Sequence, residues 1–335
     1  MYILLGVASV CLFILIRWVL RSLHLSNNDT RYVFITGCNT GFGNLLAKRL
    51  DRKGVNVIAG CLTADGTAAL RNAYSRTLKT VELDVSKETS IRQAKIQCRL
   101  WALVNNAGII GSVAPIEWHT QAEYRSVMEV NLLGVIFVTN AFLPLVRRER
   151  GRVINMTSIL GRFAQIFGPY CVAKYGVSGG VLGPFFEYRR ELYKTGVTVH
   201  IIEPGAFKTA IMCKDRTRND IETRFRNCDE ELHEYYGETF NTESDSTKIG
   251  FICGSGFSPK VHKEVDSYEH AILSRFPKHR HVVGLDANIS YRILWNLPEW
   301  LADYIVTRPM STPSGAKKLI SSLIDYILYV FPRFY

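Results

Sequence analysis

Paired cysteines, acidic residues and repeats are all scarce in this 335-residue chain. The eight cysteines (11, 38, 61, 98, 171, 213, 228 and 253) form no C-x-x-C pair and have no metal-ligand spacing. That excludes a disulfide framework or a zinc module as the basis of the fold. Several lie inside apolar runs and read as free, buried thiols of a reducing compartment. Asp and Glu number 30 against 41 Lys and Arg, which leaves a formal net charge of +11. Such a balance suits anionic partners, either a phosphate-bearing cofactor or an acidic lipid surface. The basic residues are dispersed and no nucleic-acid motif accompanies them, so no nucleic-acid partner is expected. No internal repeat is present, and a solenoid is excluded.

The N-terminus lacks the marks of a cleaved leader. Tyr2 to Ile16 carries no charge, and the basic residues Arg17, Arg21 and Arg31 follow the apolar run with no small-residue cleavage site after it. A signal peptide has the reverse order. Residues 1–25 therefore read as a signal anchor, short for a span of ~20 residues unless Arg17 snorkels. The trailing cations place the main domain on the cytosolic side. Three N-x-S/T sequons (Asn28, Asn155, Asn288) support the lumenal alternative, although Asn155 lies in an apolar strand.

Beyond a polar linker, strand-length apolar runs alternate with helical stretches. Tyr32–Ile35, Val55–Ala59, Thr80–Leu83, Leu100–Val104, Arg152–Met156 and Val197–Ile202 read as strands, with His281–Gly284 as a possible last one. Helices are expected at Asn44–Lys53, Gln121–Arg148 and Cys171–Tyr193. Continuously apolar strands separated by helices imply an α/β fold of the Rossmann type, a doubly wound parallel sheet covered on both faces.

Several short motifs fall at the ends of these strands. Thr36, Gly37, Cys38, Asn39, Thr40, Gly41, Phe42 and Gly43 link the first strand to the first helix. Glycines there let the chain turn sharply and let a pyrophosphate reach backbone N–H groups at a helix N-terminus. Asn106, Ala107 and Gly108 follow the fourth strand, at the crevice edge of an open sheet. Asp84, past the third strand, suits either an adenine edge or a helix cap. Asn131 lies mid-helix, Ser158 just past the fifth strand, and Pro204, Gly205 and Thr209 after the sixth. Tyr170 and Lys174 stand four apart, so on a helix they share a face, and the ammonium would favour phenolate.

Glycine turn, NNAG, mid-helix Asn, strand-end Ser, YxxxK and PG-x-x-x-T occur in that order from Tyr32 to Thr209. Together they resemble the short-chain dehydrogenase/reductase family. The N-terminal anchor, Phe34–Cys38 with Gly41–Ala47, Cys61–Thr63, Leu143–Arg148, Gly168–Cys171 and Ile202–Gly205 with Phe207–Thr209 resemble its membrane-bound retinol and hydroxysteroid dehydrogenase branch. The resemblance implies that Tyr170 is the general base, that Lys174 lowers its pKa and holds the nicotinamide ribose, that Ser158 orients the substrate oxygen, and that Asn131 holds a relay water. It implies a retinoid or steroid alcohol as substrate, an endoplasmic reticulum membrane, and a homodimer. The cofactor is NAD or NADP. Gly60–Thr63 has neither the acid that marks NAD nor an Arg, and Thr40 stands where many NADP enzymes carry a base, so NAD is favoured. An NADPH-linked lipid-carbonyl reductase and a catalytically impaired cofactor-binding homologue are the alternatives.

The chain departs from that pattern in two places. The stretch from Ser90 to Trp101 is short, so its helix should be trimmed. Ser178 to Pro184 puts three glycines and a proline where the family has an uninterrupted helix, at ~1 kcal/mol per Gly and ~3 kcal/mol for Pro, which undercuts the dimer. Residues 30–210 are read as the cofactor and catalytic core, 211–315 as substrate-side helices and loops of the same domain, and 316–335 as an apolar membrane-associating segment. Leu294–Leu301 and Leu319–Phe331 are the stretches expected at the lipid interface.

Overall fold

The computed structural model describes residues 2–73, 75–95, 99–165, 167–178, 184–209, 214–237 and 258–307. Seven parallel strands form one sheet: β1 (Tyr32–Ile35), β2 (Asn56–Cys61), β3 (Leu78–Glu82), β4 (Ala102–Asn105), β5 (Arg152–Met156), β6 (Thr198–Pro204) and β7 (Arg280–Val283). Their order across the sheet is β3-β2-β1-β4-β5-β6-β7. The winding direction therefore reverses between β1 and β4, the place where such sheets open a ligand crevice at their carboxyl ends. All seven strands expected from sequence are present. β1 and β5 match the expected bounds, and the ends of the others differ by one or two residues, because strand ends are set by pairing with neighbours and not by local hydrophobicity.

Alternation along each strand supplies two cores. Val33, Ile35, Val57, Ala59, Ala102, Val104 and Ile154 face one side, and Phe34, Ile58, Leu103 and Val153 face the other. The period of two makes this unavoidable once the strands pair. On the first side, α2 (Gly41–Arg52) contributes Leu46, Ala47 and Leu50, and α3 (Ala64–Ala73) contributes Leu70. On the second, α4 (Glu88–Gln93) contributes Ile91; it is only six residues long, as the shortened sequence implies. The expected long helix appears as α5 (Gln121–Met128), a π-turn (Glu129–Leu133) and α6 (Gly134–Arg148), whose Val138, Phe142 and Val146 fill that second core.

Tyr170 and Lys174 lie on α7 (Gly168–Ser178), and α8 covers Pro184–Glu191. Residues 179–183 of the interruption lie outside the described residues. Further along come α9 (Lys214–Arg226), α10 (230–237) and α11 (His262–Leu273), the last carrying Val265, Tyr268 and Ile272 into the first core. The Leu294–Leu301 stretch is not one helix. It breaks at Pro298, leaving α12 (Leu285–Asn288) and α13 (Ser290–Leu294) before it and α14 (Glu299–Thr307) after it. Leu319–Phe331 lies outside the described residues.

At the other end, α1 (Tyr2–Ser22) is a 21-residue helix, about 31 Å long at 1.5 Å per residue and so longer than the charge-free run alone. Leu5–Ser22 is apolar and long enough to cross a bilayer and none of it is buried, whereas the similarly apolar Gln121–Arg148 is half-buried core. Asn155, one of the three sequons, is fully buried beside Asn105 and is unavailable for glycosylation.

Candidate active site

The carboxyl ends of β1, β4, β5 and β6 converge on a cleft of about 830 Å³. Its floor is assembled from the glycine turn and the turn after β4. The Thr36 hydroxyl accepts hydrogen bonds from the backbone N–H of Asn106 (3.0 Å) and Ala107 (2.9 Å). In return, the Asn106 amide donates to the carbonyls of Thr36 (2.9 Å) and Gly37 (3.1 Å). Tyr268 from α11 completes the joint by donating to the Asn106 side-chain oxygen at 3.1 Å. Sequence offered no hint of that last contact across 162 positions.

The fit of this floor to a dinucleotide can be tested on the backbone. Gly41, the first residue of α2, has φ +65 and nothing within 4 Å of where a side chain would begin. A pyrophosphate placed there meets open backbone at a helix N-terminus. Helix α2 starts at Gly41, three residues before the expected Asn44, so its free N–H groups lie within the turn itself. Asn39 and Thr40 border the same cleft, with Phe42. Asn39 does more than border it: its amide donates to the Thr63 hydroxyl (2.7 Å) and its oxygen accepts from Leu62 N–H (2.6 Å). The residue therefore ties the glycine turn to the end of β2, where an adenosine ribose would sit. Asp84 also lines the cleft, but its carboxylate accepts from the Ser86 N–H and hydroxyl and pairs with Lys87 at 3.3 Å. It serves the turn and is not a helix cap, since α4 starts at Glu88.

Ser158, Tyr170 and Lys174 line the same cleft. Tyr170 and Lys174 lie one turn apart on α7, with the Lys174 Nζ 5.5 Å from the centre of the tyrosine ring. Lys174 is buried and donates to the Met156 carbonyl at 3.1 Å. Burial draws its pKa down to about 8. Burial pushes the Tyr170 phenol up to about 12, opposed by a hydrogen bond with Ser158. Lys174 is not among the groups that shift the Tyr170 phenol in this arrangement. Desolvation of the phenolate dominates, and the ammonium is itself bound to a carbonyl and not to the phenol oxygen. Ser158 caps a short 3₁₀ turn (Ile159–Gly161), its oxygen accepting from Leu160 N–H at 3.1 Å.

Asn131 is fully buried within the π-turn, and its side chain is committed. It donates to the Ile109 carbonyl (2.7 Å) and accepts from the Ile109 N–H (2.8 Å). That clamp holds the backbone next to Gly108, which lies close to both Asn131 and Lys174. Pro204, Gly205 and Thr209 all reach the cleft. Asp286 in α12 secures their turn by accepting from Ala206 N–H at 2.6 Å. Beyond Tyr170 the walls become apolar, formed by Ile110, Phe167, Tyr291, Leu294, Ile305 and Val306. None of the residues from α12 to α14 was nominated from sequence, because an apolar residue that lines a pocket looks like one that fills a core. Among the described residues no group of His, Cys, Asp or Glu has the arrangement of a metal site.

Comparison with known proteins agrees with this geometry. The family model described as short chain dehydrogenase matches residues 31–220. The human short-chain dehydrogenase/reductase family 9C member 7 is 41% identical over 309 residues, covering 90% of this chain and 96% of that relative. Human 17-beta-hydroxysteroid dehydrogenase type 6 is 40% identical, over 92% of this chain and 98% of its own. Rat retinol dehydrogenase 7 is 41% identical, over 89% and 95%. Among solved structures, a short-chain dehydrogenase from Streptomyces avermitilis superposes with a TM-score of 0.62 at 21% identity, over 83% of this chain and 97% of the other. That likeness carries the fold alone.

Proposed function

The chain belongs to the short-chain dehydrogenase family, and on that premise we propose that it oxidises a hydrophobic alcohol, a retinoid or a hydroxysteroid, with a nicotinamide dinucleotide. The observation that carries the reading is the division of one cleft. A polar half built from Gly37, Gly41, Asn106 and Gly205 meets an apolar half built from Phe167, Leu294, Ile305 and Val306, and Tyr170, Ser158 and Lys174 stand where the two join.

The residues divide the work as follows. The glycine turn and α2 N-terminus receive the pyrophosphate, and Asn39 and Thr63 lie at the adenosine end. Pro204, Gly205 and Thr209 hold the nicotinamide side, and the apolar wall excludes water and accepts the substrate's hydrocarbon body. Ser158 holds the alcohol oxygen beside the Tyr170 hydroxyl. Tyr170 takes the alcohol proton, and Lys174, buried and cationic below about pH 8, steadies the phenolate once formed. Asn131 keeps the Gly108–Ile109 backbone in place beside Lys174 and is read as the residue beside which a water relays the proton outward. The chemistry that a bound nicotinamide supplies is acceptance of the hydride.

NAD is the favoured dinucleotide, because no acid and no arginine stands in Gly60–Thr63 and no basic side chain in the glycine turn awaits an extra phosphate. Helix α1 is read as a single membrane anchor in the endoplasmic reticulum, with the domain on the cytosolic side of Arg17 and Arg21. The test is turnover by the purified full-length protein of retinol and of a hydroxysteroid with NAD and with NADP, beside Tyr170→Phe. Oxidation is expected with NAD and should fall about 10²- to 10⁴-fold in the variant, the range for losing a general base. Tight cofactor binding without turnover of either substrate would overturn the reading.

A further inference from the structure

Outside the catalytic cleft, the described residues form a second cavity of about 630 Å³, wedged between α1 and the α11–β7 segment. Its walls have two characters. Phe13, Ile14 and Trp18 supply an apolar end, and all three are exposed on α1. Arg17, Arg21 and Lys278 supply a basic end, with His270 and His281 beside them. Because α1 rises 1.5 Å per residue, Phe13 and Arg21 are separated by about 12 Å along the axis.

The charge in this cavity is uncompensated. The one acid lining it, Asp266, is ion-paired with Arg49 of α2. The next acid on that helix, Glu269, pairs with Lys53 at 2.7 Å. Arg17, Arg21 and Lys278 have no ion pair among the described residues; Arg17 instead lies 5.3 Å from the Phe13 ring centre. Burial and the nearby Arg21 and Arg17 hold Lys278 below its ordinary pKa, the response of an ammonium crowded by like charge. Burial lowers His270, and it lowers His281 to about 3, so both imidazoles are uncharged at physiological pH, and His281 faces the Lys278 carbonyl through Nε2. The Nδ1 of His270 is buried with no hydrogen-bond partner.

The cavity is also built, not incidental to a loosely attached helix. The chain leaving α1 is bonded to the domain through backbone: Leu25 N–H donates to the Leu273 carbonyl (2.8 Å) and Arg275 N–H to the Leu23 carbonyl (2.7 Å). The Ser274 hydroxyl donates to the carbonyl of Arg21 at 3.0 Å. These bonds set the angle at which α1 leaves the domain, and with it the width of the wedge.

We propose that this wedge binds the headgroup of an anionic phospholipid, its phosphate and acidic group held among Arg17, Arg21 and Lys278 and its acyl chains along Phe13, Ile14 and Trp18. A free phosphate would satisfy the basic end but leave the apolar end wet. A zwitterionic headgroup would bring its own cation into an already positive site. Cations next to a membrane helix attract acidic headgroups in this way, each with an effect near fivefold on occupancy. The proposal rests on α1 being a membrane helix and does not rest on the dehydrogenase reading.

Native mass spectrometry of the full-length protein in detergent, given equal phosphatidylserine and phosphatidylcholine of matched acyl chains, tests it. Retention of one phosphatidylserine in preference to phosphatidylcholine is expected. Lys278→Gln should reduce that preference about fivefold and Arg17→Gln/Arg21→Gln further, with cofactor affinity unchanged as the control for folding. Equal retention of the two lipids, or a preference that survives both variants, would overturn the site. So would inorganic phosphate binding as well as phosphatidylserine does. Recovery of the expressed chain in the soluble fraction after alkaline washing of membranes would instead overturn the anchor reading beneath it.

Discussion

Tyr170 and Lys174 show how far a spacing can be read and where it stops. A four-residue interval puts both on one face of α7, and the structure confirms that geometry. It does not lower the tyrosine: burial raises it to about 12, and the lysine is drawn to about 8. The oxidation rate should therefore rise with pH on the alkaline side, where the phenol loses its proton more readily. A second buried group was invisible in sequence. Glu264 is fully buried on α11, neither oxygen has a partner, and burial raises its carboxyl to about 8. Because its folded pKa lies above the unfolded one, the folded state binds the extra proton between about pH 4.5 and 8. Its contribution to stability is present below about 4.5 and is lost as pH rises through 8. Glu264→Gln should remove that part of the decline, so the melting temperatures of variant and wild type diverge from pH 5 to pH 8 in favour of the variant. Parallel curves would show that Glu264 is not protonated in the fold.

At the scale of elements, two loops that are 70 residues apart function as one surface. The Thr36 hydroxyl and the Asn106 amide join the glycine turn to the turn after β4, and Gly43 permits the approach. A side chain beginning at Gly43 would collide with the Asn106 amide and with the Gly37 carbonyl. Gly43→Ala should separate the turns and weaken cofactor binding about tenfold or more, on the scale of 1–3 kcal/mol for overpacking a tight site, read by titrating NADH fluorescence. An unchanged affinity would mean that the joint does not shape the site. Both turns were legible as motifs; the joint was not, since hydrogen-bond partners so far apart leave no local pattern. The same limit explains Leu294–Leu301, which its amphipathic sequence placed at the lipid interface. Pro298 divides it, and α14 then turns Ile305 and Val306 into the cleft.

At the scale of the molecule, the cleft and the α1 junction lie at opposite ends of the strands. Gly37, Asn106, Ser158 and Gly205 follow the carboxyl ends of their strands. Leu23 and Leu25 instead bond to Leu273–Arg275, beside Trp101 and Arg152, which lie at the amino ends of β4 and β5. Arg152 locks that edge by donating to the carbonyls of Ala271 (2.7 Å), Ile272 (2.9 Å) and Ser274 (2.7 Å). Because α1 adds no wall to the cleft, deleting residues 2–20 should leave NAD affinity within about twofold, and on the proposed anchor role it should also release the protein from membranes. A loss of affinity in the soluble, folded variant would show that α1 supports the site after all.

Alternating hydrophobicity, glycines at strand ends and a Tyr–Lys pair four residues apart are local properties, and they determined the parallel α/β sheet, the glycine turn at its carboxyl end and the shared face of Tyr170 and Lys174 from sequence alone. The pKa order of Tyr170 and Lys174, the Asn131 clamp on Ile109, the Asp286 brace, the apolar wall and the basic wedge under α1 came only from tertiary structure. Each depends on desolvation or on contacts between distant segments, and these have no value until the chain has closed around them.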